Sequence, residues 1–181
     1  MLKIIAGITQ PTQGKVEISG KVVSLIDPEA GFHPDLTGEE NISLNGLLIG
    51  MSKNEILQKK QQIIDFADIG EFIHIPLYTY SAGMRMRLGF SVAIHSDPDI
   101  LLLDEGVLAG DLTFRLKLNR KIDDLFESGK TVIVVSHWLE YLRKNCKRFL
   151  WVDGGKIKQD GGYSVAERYE RLNVRCHNKN K

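Results

Sequence analysis

The stretch YSAGMRMRLGFSVAIHSDPDILLLDEGVLAGD, residues 80–111, decides the fold. It opens with a serine, an alanine and a glycine and continues as a helix-like segment that Asp97-Pro98 ends. The apolar run ILLL follows, and two adjacent acids, Asp104 and Glu105, come directly after it. A short, continuously apolar run is typical of a parallel strand buried on both faces. The stretch therefore predicts a helix, a turn and a buried strand that ends in paired carboxylates.

A second apolar run, TVIVVS at residues 131–136, predicts a second buried parallel strand. The segment between the two strands, residues 112–127, has the charge pattern of a surface helix, so the three elements form a β-α-β crossover. Ligands in such sheets bind at the carboxyl ends of the strands. We therefore expect the Asp104-Glu105 pair and Ser136-His137 to meet at one edge of the sheet.

Upstream, two capping-box patterns predict helices at residues 38–49 and 53–67. The expected architecture is an α/β sheet with a helical insert between about residues 36 and 78. Three further expectations concern shorter segments. Residues 15–26 form a pair of strands around Gly20, residues 148–159 form a hairpin that turns at Asp153-Gly154-Gly155, and the basic segment 168–181 is a solvated tail.

Composition excludes several classes of protein. The chain has 181 residues, 43% of them hydrophobic, which suits one domain, and a net charge of +1 gives no field that would attract nucleic acid. Its two cysteines show no metal-ligand spacing, so we expect reduced thiols in the cytoplasm. No apolar run approaches the ~18 residues of a membrane span, and we expect any work at a membrane to depend on another chain.

The residue types at the predicted sheet edge suit nucleotide chemistry. Asp104 can hold a hydrated Mg²⁺, Glu105 can accept a proton from an attacking water, and His137 can orient that water at a γ-phosphate. Ser81 begins a helix whose N-terminus offers backbone N–H groups to an anion, and the small Ala82 and Gly83 allow a phosphate to come close. Simpler alternatives are acids that end a strand, a surface histidine and a plain serine cap.

In order and spacing, these motifs resemble the signature-to-Walker-B region and the switch strand of ABC transporter ATPase subunits. Residues 80–84, YSAGM, occupy the place of the signature loop, and ILLLDE matches Walker B. GVLAGD matches the D-loop and ends at Asp111, while VIVVSH matches the switch strand. The resemblance implies a P-loop NTPase-like ABC nucleotide-binding domain over residues 1–181, with a helical subdomain at residues 37–79. It also implies ATP and Mg²⁺ as cofactors, with catalytic roles for Glu105 and His137, a metal-binding role for Asp104, and nucleotide contacts from Ser81, Ala82, Gly83, Asp104 and Asp111.

Met84 in the signature, the loop GFHPDLTGEENI and the GD that ends the D-loop resemble the bacterial polysaccharide exporters. That subgroup implies transport of an O-antigen, capsule or teichoic-acid chain. The implied partners are an integral membrane permease subunit and a second ATPase subunit paired head-to-tail, at the cytoplasmic face of the inner membrane. The loop at residues 29–35 stands where the family has its Q-loop but contains no glutamine, which leaves Glu29, His33 or a backbone group to take its role.

The 181 residues contain no P-loop pattern, G-x-x-G-x-G-K-[ST]. The opening MLKIIAGITQPTQGKV resembles the helix and turn that directly follow a P-loop, so we expect an N-terminally truncated domain. Three alternatives stay open: an exporter ATPase with an incomplete N-terminus, a catalytically inactive remnant or binding-only partner, and a P-loop relative outside transport.

Overall fold

The computed structural model describes residues 1–104 and 112–177, with side chains described as far as residue 172. Two compact units emerge, Met1–Val135 and the chain from Ser136 onward, and each is described by itself. The expectation of one domain over residues 1–181 stays a prediction. The first unit contains α1 (Leu2–Ile5), β1 (Val22–Ser24), α2 (Gly38–Leu48), α3 (Lys53–Ala67), α4 (Ala82–His95), β2 (Ile100–Leu103), α5 (Leu112–Glu127) and β3 (Thr131–Val134).

The first unit is built on a parallel sheet with strand order β1-β2-β3. Val23 pairs with Leu101, and Leu101 pairs on its other side with Val132. Helix α5 connects β2 to β3, so the β-α-β crossover predicted from the two apolar runs is confirmed. Because β2 is the central strand, its carboxyl end lies between the chain segments that leave β1 and β3.

Helix α4 is the shared wall of two hydrophobic cores. One side of it packs with the sheet and α5 through Phe90 and Ile94. Its other side packs with the helices of the insert through Leu88 and Val92. Each of these four side chains is at most 2% exposed, and burying one contributes roughly 1.5–3 kcal/mol. The small residues at the start of α4 are therefore carried on a helix that is fixed from two sides.

The helical insert follows the predicted capping boxes closely. The Thr37 hydroxyl accepts a hydrogen bond from the Glu40 N–H, and the Glu40 carboxylate accepts one from the Thr37 N–H. Ser52 and Glu55 make the same reciprocal pair at the start of α3. Two 3₁₀ helices, Gly70–His74 and Leu77–Thr79, complete the insert and lead into α4.

The second unit contains α6 (Leu139–Asn145), β4 (Phe149–Asp153), β5 (Lys156–Gly161) and α7 (Ser164–His177). Strands β4 and β5 are antiparallel and turn at Gly154 and Gly155, whose φ angles of 54° and 75° suit a tight hairpin turn. This confirms the predicted hairpin. Val165 and Ala166 of α7 pack on Phe149 and form the small core of this unit.

Three expectations from the sequence were wrong. Residues 15–20 form no strand. The Lys21 N–H donates to the Asp99 carboxylate, and the Lys21 carbonyl accepts from the N–H groups of Asp99 and Ile100. These bonds set β1 parallel to β2, so β1 forms no hairpin with residues 15–20. Strand β3 is only half-buried, because it is the edge strand of the described sheet. Residues 168–177, expected as a tail, belong to α7.

Candidate nucleotide-binding site

The start of α4 is a capped and accessible helix N-terminus. Ser81 is the N-cap, and its hydroxyl accepts a hydrogen bond from the Met84 N–H at 3.2 Å. Ser81, Ala82 and Gly83 are all exposed, and a Cβ at Gly83 would meet only the Ser81 hydroxyl, at 3.9 Å. The first N–H groups of a helix have no acceptor within the helix. This end of α4 can therefore receive an anion on its backbone without a steric barrier.

Tyr80 fixes this helix start to the insert. Its hydroxyl donates a hydrogen bond to the Phe72 carbonyl, and its ring meets the Phe72 ring edge-on with 6.3 Å between the ring centroids. Tyr80 is only 4% exposed. Burial raises the pKa of Tyr80 to about 12. A Cβ at Gly38 would stand 2.2 Å from the Tyr80 hydroxyl, so only glycine fits there. The residue before Ser81 is thereby locked in place.

Asp104 lies at the carboxyl end of the central strand, as predicted. It directly follows β2 and is half-buried. The Leu25 N–H donates to the Leu102 carbonyl and the Val135 N–H to the Leu103 carbonyl, each at 2.9 Å, so the chain ends of β1 and β3 flank it. Glu105 and Asp111, with the rest of the D-loop, lie outside the described residues.

The Asp104 carboxylate fits a Mg²⁺ that is bound mainly by phosphates and waters. Within the part of the chain that the structure describes, no group of three or more His, Cys, Asp or Glu side chains could hold a metal by itself. Asp104 would therefore supply one oxygen ligand and orient the ion. The assignment of Mg²⁺ to Asp104 stays a prediction.

His137 belongs to the second unit, where it is exposed. It comes three residues after the last residue of β3, and the neighbouring Ser136 hydroxyl accepts a hydrogen bond from the Trp138 N–H at 3.0 Å. The predicted meeting of His137 with Asp104 at one edge stays a prediction.

The loop at the place of the Q-loop is held by two buried asparagines of α2, which the sequence analysis missed. Asn41 accepts from the His33 N–H at 2.8 Å and donates to the His33 carbonyl at 3.0 Å. Asn45 donates to the Ala30 carbonyl at 2.7 Å. Their spacing of four residues places both on one helix face, and this is the signal that could have found them.

Glu29, in the same loop, is engaged with the signature helix. Its carboxylate accepts a hydrogen bond from the Arg85 Nε at 2.8 Å. The sequence left open whether Glu29, His33 or a backbone group takes the role of the Q-loop glutamine, and this question stays open. His33 uses its Nδ1 to accept from the Asp35 N–H at 3.3 Å.

The fold is that of an ATP-binding cassette. A solved ATP-binding subunit of an ABC transporter matches with a TM-score of 0.79 over 94% of this chain and 76% of that chain, at 19% identity. The dimeric ATP-binding cassette MJ0796 bound to ADP and Pi matches with a TM-score of 0.70 over 90% of this chain and 78% of that chain, at 24% identity. The sequence pattern of the ABC transporter family matches residues 1–107, and the chain belongs to this family.

Relatives with similar sequences are named as ATP-binding proteins of polysaccharide export systems, so the predicted polysaccharide exporter subgroup is confirmed. The chain is 45% identical over 176 residues to the O-antigen export system ATP-binding protein RfbB of Myxococcus xanthus, and 41% identical over 171 residues to the RfbB of Klebsiella pneumoniae. It is 44% identical over 170 residues to the teichoic acids export ATP-binding protein TagH of Bacillus anthracis.

The alignments cover 96%, 94% and 93% of this chain but 40%, 68% and 31% of those relatives, in the same order. Among the described helices, none combines the length and the apolar character that crossing a membrane requires.

Proposed function

We propose that the chain is an ATP-binding subunit of an ABC transporter that exports a cell-surface polysaccharide and couples ATP hydrolysis to transport. The observation that carries the proposal is the accessible N-terminus of α4, with Ser81, Ala82 and Gly83 exposed on a helix that is otherwise buried on both sides. Identities of 41–45% to O-antigen and teichoic acid export proteins support the class of cargo.

In this proposal the site is divided between two subunits paired head-to-tail. The α4 N-terminus closes over the γ-phosphate of ATP that the other subunit holds, and Asp111 of the D-loop contributes to nucleotide binding. On its own nucleotide side, Asp104 holds Mg²⁺, Glu105 is the general base and His137 orients the attacking water. The phosphate loop of such a site belongs to the subunit that holds the ATP, opposite the α4 N-terminus of this chain.

The second proposed partner is an integral membrane permease, with the helical insert as its docking surface at the cytoplasmic face of the inner membrane. Large apolar side chains exposed on the insert support this: Leu48 is 63%, Leu57 68% and Tyr78 67% exposed. The proposal includes no nucleic-acid partner, in line with the net charge of +1.

A binding-only partner is the second candidate function, in which the accessible α4 N-terminus is the part of the site that this chain supplies. Such a chain would complete one site of a mixed dimer through Ser81 and Gly83 and hydrolyse no ATP by itself. Nucleotide titration of the isolated chain separates the two candidates, because micromolar MgATP binding with turnover would contradict the binding-only function.

Light scattering on a size-exclusion column tests the proposal. The chain is mixed with an intact exporter ATPase subunit whose catalytic glutamate is replaced by glutamine, with and without MgATP. We expect a mixed dimer only with MgATP, and no mixed dimer with Ser81→Arg, because the arginine occupies the phosphate position. A mixed dimer that forms equally without MgATP, and equally with Ser81→Arg, would overturn the proposal.

A further inference from the structure

The signature helix is tied to the loop after β1 by one guanidinium. Arg85 donates from Nε to the Glu29 carboxylate at 2.8 Å and from Nη1 to the Tyr80 carbonyl at 2.7 Å. Glu29 is 56 residues away in sequence and follows β1, whereas Tyr80 directly precedes the N-cap Ser81. A single side chain thus connects the loop after β1 to the backbone at the start of α4.

Close packing accompanies this connection. A Cβ at Gly89 would stand 2.0 Å from the Pro28 carbonyl oxygen, so the helix backbone lies directly against the loop. Gly89 and Arg85 are four residues apart and therefore share one face of α4. This loop, which we call loop 27–35, also has an internal hydrogen bond, since the Asp27 carboxylate accepts from the Glu29 N–H at 3.2 Å. The ion pair therefore joins two segments that already lie in contact.

Charge balance gives Glu29 a second effect on α4. Arg85 lies close to the N-terminus of the helix, where a positive charge opposes the helix dipole. The Glu29 carboxylate compensates that charge and also keeps the guanidinium turned towards the loop. The side chains of Arg85 and Glu29 are 31% and 37% exposed, so water weakens the pair without removing it.

We propose that Arg85 and Glu29 are positioning residues that hold the α4 N-terminus against loop 27–35 and so set the place of Ser81, Ala82 and Gly83 at the phosphate. The inference rests on the proposed function for the phosphate contact, but the positioning itself depends only on the described contacts.

Amide hydrogen exchange of the 181-residue chain, read by mass spectrometry over residues 82–85, tests the positioning. Glu29→Gln should speed exchange there by up to about fivefold, the factor that corresponds to the upper end of a partly exposed ion pair. Arg85→Gln should speed it more, because it also removes the bond to the Tyr80 carbonyl. The double variant should match Arg85→Gln, since the two changes break one shared contact.

Glu17→Gln is the matched control, because Glu17 pairs with Lys15 at a site far more exposed. Unchanged exchange over residues 82–85 in both Glu29→Gln and Arg85→Gln would overturn the positioning, as would an equal effect of Glu17→Gln. Arg85→Lys keeps the charge but not the forked donor, and should give an intermediate rate.

A second measurement separates this inference from the proposed function. The wild-type chain is added to an exporter ATPase subunit whose own signature serine is replaced by arginine, and ATP turnover is followed. Glu29→Gln should raise KM for ATP severalfold with a smaller change in kcat. Absence of ATP turnover with the wild-type chain would contradict the proposed function. Amide hydrogen exchange would still show whether Arg85 and Glu29 position the α4 N-terminus. Faster exchange with unchanged KM would overturn the link to the phosphate site.

Discussion

Asn41→Ala should destabilise the first unit through loss of the hydrogen bonds that shape loop 27–35. The side chain is fully buried and makes four bonds: it accepts from the His33 N–H and donates to the carbonyls of His33, Leu36 and Thr37. All three carbonyls keep another donor, because Leu36 also accepts from the Leu77 N–H, Thr37 from the Asn41 N–H and His33 from the Leu36 N–H at 3.3 Å. The lasting loss therefore falls on the His33 N–H, whose bond to the Asn41 side chain disappears.

An unpaired buried polar group costs about 1–3 kcal/mol, and His33 is exposed enough for water to reach it. We therefore take the lower end for this one group and expect the free energy of unfolding to fall by about 1 kcal/mol. For a chain of this size that corresponds to a drop in Tm of roughly 2–4 °C. Thermal unfolding followed by circular dichroism at 222 nm gives the value directly.

Two further variants sharpen this test. Asn54→Ala, at an exposed position of α3, is the matched control and should change stability by no more than about 0.5 kcal/mol. Asn41→Asp keeps an acceptor for the His33 N–H but sets a carboxylate against three carbonyls, so it should destabilise at least as much as Asn41→Ala. If Asn41→Ala melts within 1 °C of Asn54→Ala, a threshold of about a quarter of a kcal/mol, the reasoning about loop 27–35 is refuted.

Three other predictions follow from single side chains. Burial lowers the pKa of His95 below its ordinary 6.5, so protonation favours the unfolded chain. The free energy of unfolding, measured in urea, should therefore be highest above about pH 6.5 and should fall as the pH drops through the pKa of the folded state. His95→Gln should make that fall shallower. Gly89→Ala should cost about 1–3 kcal/mol in the same assay, because its Cβ would stand 2.0 Å from the Pro28 carbonyl oxygen, whereas Gly83→Ala should not destabilise. In a chimera in which a P-loop segment is joined ahead of residue 1, Glu105→Gln should lower ATP turnover by about 10²–10⁴-fold while nucleotide still binds. Near-normal turnover would show that Glu105 is not the base.

Local patterns made much of the fold predictable. The capping boxes at Thr37 and Ser52 act within four residues, so their sequence alone located the starts of α2 and α3. The apolar runs of β2 and β3 and the serine that begins α4 are equally local signals. These elements carry Asp104 and Ser81, which explains why two parts of the candidate site were predicted in the right elements.

Contacts between distant segments could not be predicted in the same way. No local pattern joins Glu29 to Arg85, since the pair forms only when the loop after β1 meets α4. Residues 15–20 alternate like a strand, yet strand formation also needs a partner with free backbone groups, and Lys21 is already bonded to the chain before β2. The half-burial of β3 likewise depends on its place at the edge of the sheet and not on its own apolar sequence.

The central claim is that Ser81, Ala82 and Gly83 close over ATP held by another subunit. It is tested by co-expressing the chain with an intact exporter ATPase subunit whose signature serine is replaced by arginine, a subunit that should be inactive alone. Ser52→Arg is the matched control, because Ser52 caps α3 as Ser81 caps α4 but lies in the insert.

The decisive measurement is the rate of ATP hydrolysis of the purified mixture. We expect the wild-type chain and Ser52→Arg to restore hydrolysis at up to one site of the two, and Ser81→Arg to restore none. Equal restoration by Ser81→Arg, or none by the wild-type chain when a pull-down shows that it binds the partner, would show that Ser81, Ala82 and Gly83 do not close over the partner's ATP.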